Sequence, residues 1–213
     1  MDIIEFFQLS AGKWRSHRMT HHLVFKAAER GDSDIEVEFF AAAHQDVIRL
    51  CEMHEIDSSL AVGGSHVHWK GTMQWDFKKD DNHEGETVFA IVPDAGTLCQ
   101  GRLLRERGYA EIVPVVGRYQ IDDAGVLLLT TEYETMSVIE RFWFVSPDIR
   151  MRLSVVKLYG GFSNAALCIE TRIEEALEAQ CQTSSTPKVT SFQPQKMIAA
   201  GSVYSVLGWG VLL

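Results

Sequence analysis

The feature that most constrains the fold is a series of short segments in which apolar and polar residues alternate. Such alternation is typical of strands that bury one face. It is clearest in residues 65–77, where Val67, Trp69, Met73, Trp75 and Phe77 share one face. Further strand candidates are residues 35–40, 87–92, 113–121, 126–134, 138–145, 150–158 and 162–173, and an extended segment runs from Gly12 to about Phe25.

Clusters of Gly, Pro and Asp separate these segments, and only two helices are expected among them. Asp2 can cap a short helix over residues 2–9, and residues 44–54 have the apolar spacing of a surface helix. Many strands with short connections predict a mainly β fold, an antiparallel up-and-down sheet that closes into a barrel.

The length of 213 residues suits one core, so we assign residues 1–180 to a single barrel domain. Residues 174–179 are interpreted as a final helical turn, and residues 181–213 as a disordered or foreign tail. Residues 197–213 carry no charge, but three glycines and two serines dilute the segment, so no stable membrane span is expected.

Charge and cysteine content exclude several classes of function. The formal net charge is -9, with 20 basic against 29 acidic residues, which disfavours nucleic-acid binding. The four cysteines are widely spaced and form no CxxC pair, so neither a disulfide framework nor a structural zinc site is expected. With no secretory signal at the N-terminus, we expect a reducing cytoplasmic location.

The tripeptide Gly12-Lys13-Trp14 follows the first helix and precedes the strands. A helix, then G-x-W, then an up-and-down run of strands resembles the opening of a lipocalin-like barrel. In that arrangement the tryptophan closes one end of the barrel and a basic residue of the last strand packs on it, here Arg172. A barrel of this size has room for one small ligand.

Three arginines are candidates for anion binding. Arg150 and Arg152 are two residues apart and therefore face the same side of one strand, and Arg18 adds a third from the first strand. Two adjacent guanidiniums repel each other unless anions are present. The sequence leaves two alternatives equally open. One is binding of an anionic ligand, and the other is a structural role, either ion pairing with Glu132, Glu134 or Glu140 or simple exposure to solvent.

Two acids and three aromatic residues are further candidates. Glu140 alternates with Phe142 and Phe144, so an inward face would surround this carboxylate with aromatic rings and raise its pKa. Glu170 is a second acid, and the sequence leaves open whether its side chain points into the barrel or to solvent. Trp69 and Trp75 lie about 20 Å apart along the strand. They either fill the core or contact the two ends of a long flat ligand. Trp143 falls on the face opposite Glu140.

The histidine pairs do not favour a metal site. His21 and His22 are adjacent in a strand and point in opposite directions, so they cannot chelate together. His66 and His68 share a polar face, expected to be the outer one, and no third ligand is evident. We therefore predict no metal.

Several blocks, in order, resemble the S-type phycobiliprotein lyases of cyanobacteria. They are FFQLSAGKWRSHRMTHHL, HVHWKGTMQW, GRLLRERGYAE, TTEYETMSVIERFWFVSPDIRMR and YGGFSNAALCIETRI. The resemblance covers residues 1–175, and the pattern TEYETMS…ERxWF.SP..R.R is its most specific part. It implies a lipocalin-like barrel that takes part in phycobilisome chromophore attachment.

By this resemblance the chain binds an open-chain tetrapyrrole, with phycocyanobilin expected, and transfers it to a cysteine of an apo-phycobiliprotein subunit. The bilin is the transferred substrate, and no cofactor is implied. Glu140 would supply or orient a proton, and Arg150 and Arg18 would hold the propionates. The matching positions tied to binding or transfer are Arg18, His21, His22, Trp69, Trp75, Glu140, Trp143, Arg150 and Arg152, and we add Glu170.

Two other functions stay open at this point. The first is a lipocalin-like carrier that binds a bilin without catalysing its attachment. The second is an interaction protein whose basic stretch Arg102, Arg105 and Arg107 docks an acidic phycobiliprotein. The sequence also leaves open which bilin and subunit cysteine are used, and whether the protein acts alone, as a homodimer or with a sister subunit.

Overall fold

The computed structural model describes residues 1–76, 83–106, 114–161 and 163–173. Two α-helices, α1 (Ile3–Ser10) and α2 (Gln45–Met53), accompany ten strands in this part of the chain. The strands are β1 (Gly12–His22), β2 (Ala27–Ala41), β3 (Gly63–Met73), β4 (His83–Pro93), β5 (Gln100–Arg105), β6 (Val115–Ile121), β7 (Leu127–Glu132), β8 (Met136–Ser146), β9 (Ile149–Leu158) and β10 (Ser163–Arg172).

The strands form one closed barrel in which sequence neighbours pair antiparallel and β10 returns to pair with β1. Closure removes the sheet edges, which would otherwise be open to unwanted pairing. Along most strands buried and exposed residues alternate, because one face points into the barrel and the other to solvent. The predicted up-and-down antiparallel barrel with two helices is therefore confirmed.

Helix α1 closes one end of the barrel. The Asp2 side chain accepts from the backbone N–H groups of Ile4 and Glu5, and Glu5 accepts in return from the Asp2 N–H, which fixes the first turn. The helix buries Phe6 and Phe7 in the main core cluster. Helix α2 packs outside the barrel instead, with its buried residues against β4 and β5.

Trp14 and Arg172 complete this closed end as the G-x-W pattern predicted. The Arg172 guanidinium lies 4.3 Å from the centroid of the Trp14 ring and donates to the carbonyl oxygens of Leu9 and Ala11, each at 2.7 Å. Trp14 Nε1 donates to the carbonyl of Ser10 at 2.8 Å. These bonds tie α1 to the first and last strands.

Three predictions about elements need correction. Strand β5 was not predicted because three of its six residues are charged or polar, namely Gln100, Arg102 and Arg105. These residues obscure the alternation of the buried positions Gly101, Leu103 and Arg105. Strand β2 starts at Ala27 rather than at residue 35, and β3 ends at Met73, so Trp75 lies beyond the strand. Phe77, Arg107, the predicted turn 174–179 and the predicted tail lie outside the described residues.

Candidate functional site: a charged barrel interior

The barrel interior divides into an apolar part next to α1 and a charged part farther from it. Phe6, Phe7, Phe89 and Phe142 form aromatic contacts in the apolar part. The charged part is carried mainly by the inner faces of β1, β8, β9 and β10. Among the described residues, the buried arginine, lysine, aspartate and glutamate side chains are Arg18, Arg105, Arg150, Arg152, Glu29, Glu140 and Glu170.

Glu170 is the common partner of two arginines. Arg150 Nε donates to Glu170 Oε2 at 2.6 Å, and Arg152 Nε lies 3.4 Å from Glu170 Oε1. All three side chains are at least 97% buried. The register explains the contact, because Glu170 on β10 is paired directly with Arg150 on β9. Glu170 therefore faces inward and offsets the mutual repulsion of the two guanidiniums.

Glu140 lies on β8, the strand next to β9, and faces the same part of the barrel interior. Its Oε1 is 3.7 Å from Arg152 Nη1, and its side chain is 4% exposed. Burial raises the pKa of Glu140 above its ordinary value, although Arg152, Arg105 and Arg18 all act in the opposite direction. A buried carboxyl with a raised pKa keeps its proton to a higher pH than an exposed one, which suits it to act as a proton donor.

Arg18 approaches the same cluster from β1. Its Nε donates to Thr20 Oγ1 at 3.0 Å, while its Nη1 is buried and has no hydrogen-bond acceptor among the described residues. Burial lowers the pKa of Arg18, and the positive charge of Arg152 lowers it further, while Cys168 and Glu140 act against this. An arginine held this way gains from any anion that enters the barrel.

Cys168 lies between Arg18 and Arg152 in the same row of the barrel, paired with both across the strands. Arg152 Nη2 donates to Cys168 Sγ at 3.2 Å. For Arg152 burial alone lowers the pKa, but Cys168, Glu170 and Glu140 outweigh it and raise the pKa above its ordinary value. Arg152 is therefore fully charged and fixed by three neighbours.

The interior as a whole favours an anionic ligand. Four buried arginines stand against three buried glutamates, which leaves one positive charge in excess, and more when Glu140 is protonated. Besides Arg18 Nη1, the Nη2 group of Arg150 has no hydrogen-bond acceptor in the described part of the chain. Both groups are donors with the geometry that suits carboxylates.

The end of the barrel opposite α1, which we call the mouth, has a polar and aromatic rim. His22 Nε2 lies 3.2 Å from Glu29 Oε2, and His22 Nδ1 lies 3.1 Å from Asn164 Oδ1. The Trp75 ring stacks on the His22 ring at 5.1 Å, and the backbone N–H of Trp75 donates to Glu29 Oε1. Trp75 remains 43% exposed, so a ligand in the mouth can contact its indole.

Trp69 lies inside the barrel, below the mouth. It is 7% exposed and is paired across the sheet with Gly85 on β4. A side chain at Gly85 would overlap the Trp69 indole, so the glycine leaves room for the ring. Trp69 and Trp75 therefore occupy different depths, the first inside and the second on the rim, rather than two places on one strand.

Two of the candidate residues do not line the interior. His21 is exposed on the outer face of β1, and Trp143 is partly exposed on the outer face of β8. The alternation of the strands causes both placements, because their neighbours His22 and Phe142 take the inner positions. Trp143 lies on the face opposite Glu140, as the alternation predicted, and the role of Trp143 and His21 in bilin binding stays a prediction.

His66 and His68 also lie outside, as predicted. His66 Nε2 is 3.0 Å from Glu86, and His68 Nε2 is 3.1 Å from Glu84, both across the pair β3–β4. Among the described residues, no group of three His, Cys, Asp or Glu side chains could hold a metal ion. No helix in this part of the chain is long and apolar enough to cross a membrane.

Sequence reasoning missed two interior residues. Arg105 was grouped with Arg102 and Arg107 as a surface stretch, but Arg105 is the last residue of β5 and is only 3% exposed. Arg107 lies outside the described residues. Glu29 lies in the polar first half of β2, which was not predicted as a strand. In a barrel with a charged interior, polar residues at alternate positions are themselves the signal for an inward face.

A closed ten-strand antiparallel barrel with one end capped by a helix is the lipocalin-like architecture that the sequence predicted, and its interior carries charged side chains. Comparison with known sequences gives the family. The model of the CpeS-like protein family matches residues 2–173, and this chain belongs to that family.

Individual relatives agree. The phycocyanobilin lyase subunit CpcS of Picosynechococcus sp. is 58% identical over 81% of this chain and 87% of its own length. A chromophore lyase CpcS/CpeS 2 of Trichodesmium erythraeum is 54% identical over 98% of this chain and 100% of its own, an alignment that extends past residue 180. The S-type phycobiliprotein lyase CPES of Guillardia theta has a similar structure, with a TM-score of 0.73, 30% identity, and coverage of 82% of this chain and 94% of that one.

Proposed function

We propose that this protein is a phycobiliprotein chromophore lyase. It binds an open-chain bilin, with phycocyanobilin the preferred substrate, and transfers it to a cysteine of an apo-phycobiliprotein subunit. Relatives with 53–58% identity are named as phycocyanobilin or chromophore lyases. The observation that carries the proposal is the excess of buried guanidinium groups, two of which have an unpaired N–H group facing the interior.

A bilin matches this interior in charge and shape. It is long, flat and conjugated, with two propionates and several N–H groups. The propionates would take the free donors of Arg18 and Arg150, each charge-assisted bond contributing about 1.5–3 kcal/mol. Trp69 and Trp75, at two depths, would contact successive parts of the pigment. Arg105 adds a fourth guanidinium that the sequence did not suggest.

Glu140 is the proposed proton donor. Burial raises its pKa, which favours the protonated form over the carboxylate. Glu170 has a different task, because its two arginine partners keep it engaged as their counterion. We therefore assign Glu140 to the chemistry and Glu170 to the positioning of Arg150 and Arg152.

The reaction is an addition in which no group leaves. The thiol sulfur of the acceptor cysteine bonds to the exocyclic ethylidene carbon of ring A, the double bond is lost, and a proton ends on the pigment. The nucleophile belongs to the acceptor, so none of the lyase cysteines is needed. Cys51, Cys99 and Cys168 are free thiols, which is consistent with a reducing, cytoplasmic compartment.

A covalent transfer assay tests the proposal. The protein is mixed with phycocyanobilin and a recombinant apo-phycobiliprotein subunit, the mixture is denatured, and pigment that remains on the subunit is measured by absorbance and zinc-enhanced fluorescence. We expect attachment well above the rate without the protein. Pigment that binds the barrel but washes off after denaturation identifies a carrier instead and contradicts the lyase assignment.

Two variants refine the test. Glu140→Gln should keep bilin affinity and lose transfer rate by about a hundredfold, the lower end of the usual contribution of general acid catalysis. A variant with all four cysteines changed to serine should still transfer the pigment, because none of them is the nucleophile and serine keeps a hydrogen-bond acceptor for Arg152 at position 168. Loss of transfer in that folded variant would point to a covalent relay through the lyase, contrary to the proposal.

A further inference from the structure

The outer face of β8, β9 and β10 differs from the rest of the barrel surface. Seven large apolar side chains on it are at least 36% exposed: Ile139, Val145, Ile149, Leu153, Val155, Leu167 and Ile169. Trp143 and Met151 lie among them with partial exposure. We call this set of nine side chains the β8–β10 face.

The residues of the β8–β10 face are contiguous. Leu167 is paired with Leu153, Ile169 with Met151, and Met151 with Trp143 on the third strand. Directly opposite residues on a sheet lie about 4.5–5.5 Å apart, so these side chains touch. Contiguous exposed apolar surface of this kind marks an interaction site in a soluble protein.

The charged residues that β8, β9 and β10 turn outward have one sign. The turn between β8 and β9 adds one carboxylate next to Ile149, Asp148, which lies 3.2 Å from the Arg172 guanidinium. None of the outward-facing residues of β8, β9 and β10 is a carboxylate, whereas Arg141 and Lys157 are cations. Arg141 is paired with Leu153 at the centre of the face. The absence of acids from the outward-facing positions of these strands is notable in a chain with a net charge of -9.

The acids lie on the other side of the barrel. Strand β2 turns Asp32, Asp34, Glu36 and Glu38 outward, and β4 adds Glu84 and Glu86. Several of them pair with histidines or arginines of neighbouring strands, such as His17 with Asp32. The molecule thus has an acidic side and an apolar side whose strands turn only the cations Arg141 and Lys157 outward as charged residues.

We infer that the β8–β10 face docks the protein that receives the pigment, through an acceptor surface that is largely apolar and carries carboxylates opposite Arg141 and Lys157. This inference rests on the proposed function. A second copy of this chain is disfavoured, because a symmetric interface would bring Arg141 and Lys157 of both copies together, and none of the three strands turns a carboxylate outward to pair with them.

The position of the face suits transfer. The same three strands carry Glu140, Arg152 and Glu170 on their inner sides. Toward the mouth the face adjoins His21, paired with Ala165 on β10, and the exposed segment Leu23–Phe25 that follows β1. An acceptor on this face would reach the mouth from the side. Since Trp143 belongs to this face and His21 adjoins it, both would lie next to the docked acceptor, outside the barrel.

Charge-introducing variants test the docking surface. Leu153→Glu places a carboxylate at the centre of the face, and Arg141→Glu inverts its central cation. Leu60→Glu is the control, since Leu60 is an exposed leucine outside the face, 55% exposed against 36% for Leu153. All three positions are exposed, so the fold should be kept. The acceptor is a recombinant apo-phycobiliprotein subunit to which the unaltered protein attaches phycocyanobilin.

We expect Leu153→Glu and Arg141→Glu to bind phycocyanobilin as the unaltered protein does and to raise the KM for the acceptor at least tenfold, the usual cost of a changed interface centre. Leu60→Glu should leave both values unchanged. Unchanged KM in both face variants overturns the docking inference while the lyase function stands. Absence of bilin binding or of transfer by the unaltered protein overturns the proposed function itself.

Two further measurements address other occupants. Light scattering gives the mass of the unaltered protein and of Leu153→Glu, and flotation with phosphatidylglycerol vesicles measures membrane binding. A dimer that Leu153→Glu dissociates, or vesicle binding that this variant abolishes, assigns the face to another occupant and overturns the inference. Equal mass for both proteins and no flotation support acceptor docking.

Discussion

Replacing Glu170 with glutamine tests how the barrel tolerates its buried arginines. Glu170 is fully buried, accepts from Arg150 Nε at 2.6 Å and lies 3.4 Å from Arg152 Nε. Glutamine keeps the size and one acceptor oxygen but removes the negative charge. Four buried arginines would then face two glutamates, Glu29 and Glu140, so the interior excess rises from one positive charge to two.

The expected loss of stability is large. Removing one member of a buried ion pair costs roughly 3–5 kcal/mol, because the remaining charge stays desolvated and unpaired. For a domain of this size each kcal/mol corresponds to about 2–4 °C in Tm, so the melting temperature should fall by roughly 6–20 °C. Glu36→Gln, an exposed position on β2, is the control and should change Tm by less than about 2 °C.

The assay is thermal unfolding by circular dichroism, with and without phycocyanobilin. A dianionic pigment neutralises the two positive charges, so it should raise the Tm of Glu170→Gln by more than that of the unaltered protein. A melting temperature within about 2 °C of the unaltered protein, or an equal bilin-induced rise in both, would refute the reasoning that Glu170 is the counterion of the two arginines.

Three shorter predictions follow from other parts of the structure. Because burial raises the pKa of Glu140, the folded protein holds a proton that the unfolded chain releases. The free energy of unfolding should therefore fall as the pH rises from about the ordinary pKa of 4.5 through the raised pKa. Urea unfolding measures this fall, and Glu140→Gln should lack it. Gly85→Val should displace the Trp69 indole and weaken bilin binding at least tenfold in an absorbance titration, whereas undiminished affinity would mean that Trp69 does not contact the pigment. Trp14→Ala removes the ring that seats Arg172 at the closed end, and should cost about 3–5 kcal/mol in urea unfolding; a loss below 1 kcal/mol would contradict that role.

The barrel could be predicted because its strands repeat one simple pattern. Alternation in segments such as β3, β6 and β9 indicates a buried face without any knowledge of the partner strands. The G-x-W pattern added the closed end, since Trp14 and Arg172 meet there as expected. Strand β5 and the first half of β2 escaped because their inner residues include Arg105 and Glu29, and polar inner residues look like a surface in sequence.

The site was harder to predict, because strand facing depends on where each strand begins and ends. Glu170 could not be oriented until its pairing with Arg150 was known. The same geometry answers the question left open for Arg150 and Arg152: both form ion pairs with buried glutamates, and an unpaired N–H group on Arg150 remains for a ligand. Trp75 was placed on β3 by its alternation, but the strand ends two residues earlier.

The division of the chain at residue 180 stays a prediction. The barrel closes with β10 at Arg172, and the CpeS-like family matches through residue 173. The relative from Trichodesmium erythraeum aligns with 98% of the chain, so comparable residues follow the barrel in that protein as well.

The central claim is that buried guanidiniums hold the propionates of a bilin, and esterified pigment tests it without altering the protein. Visible-absorbance titrations compare phycocyanobilin with its dimethyl ester, which has the same conjugated system but no carboxylates. Two charge-assisted bonds of about 1.5–3 kcal/mol each predict a Kd for the free acid roughly a hundredfold or more below that of the ester. Equal affinity for the two pigments would contradict the account.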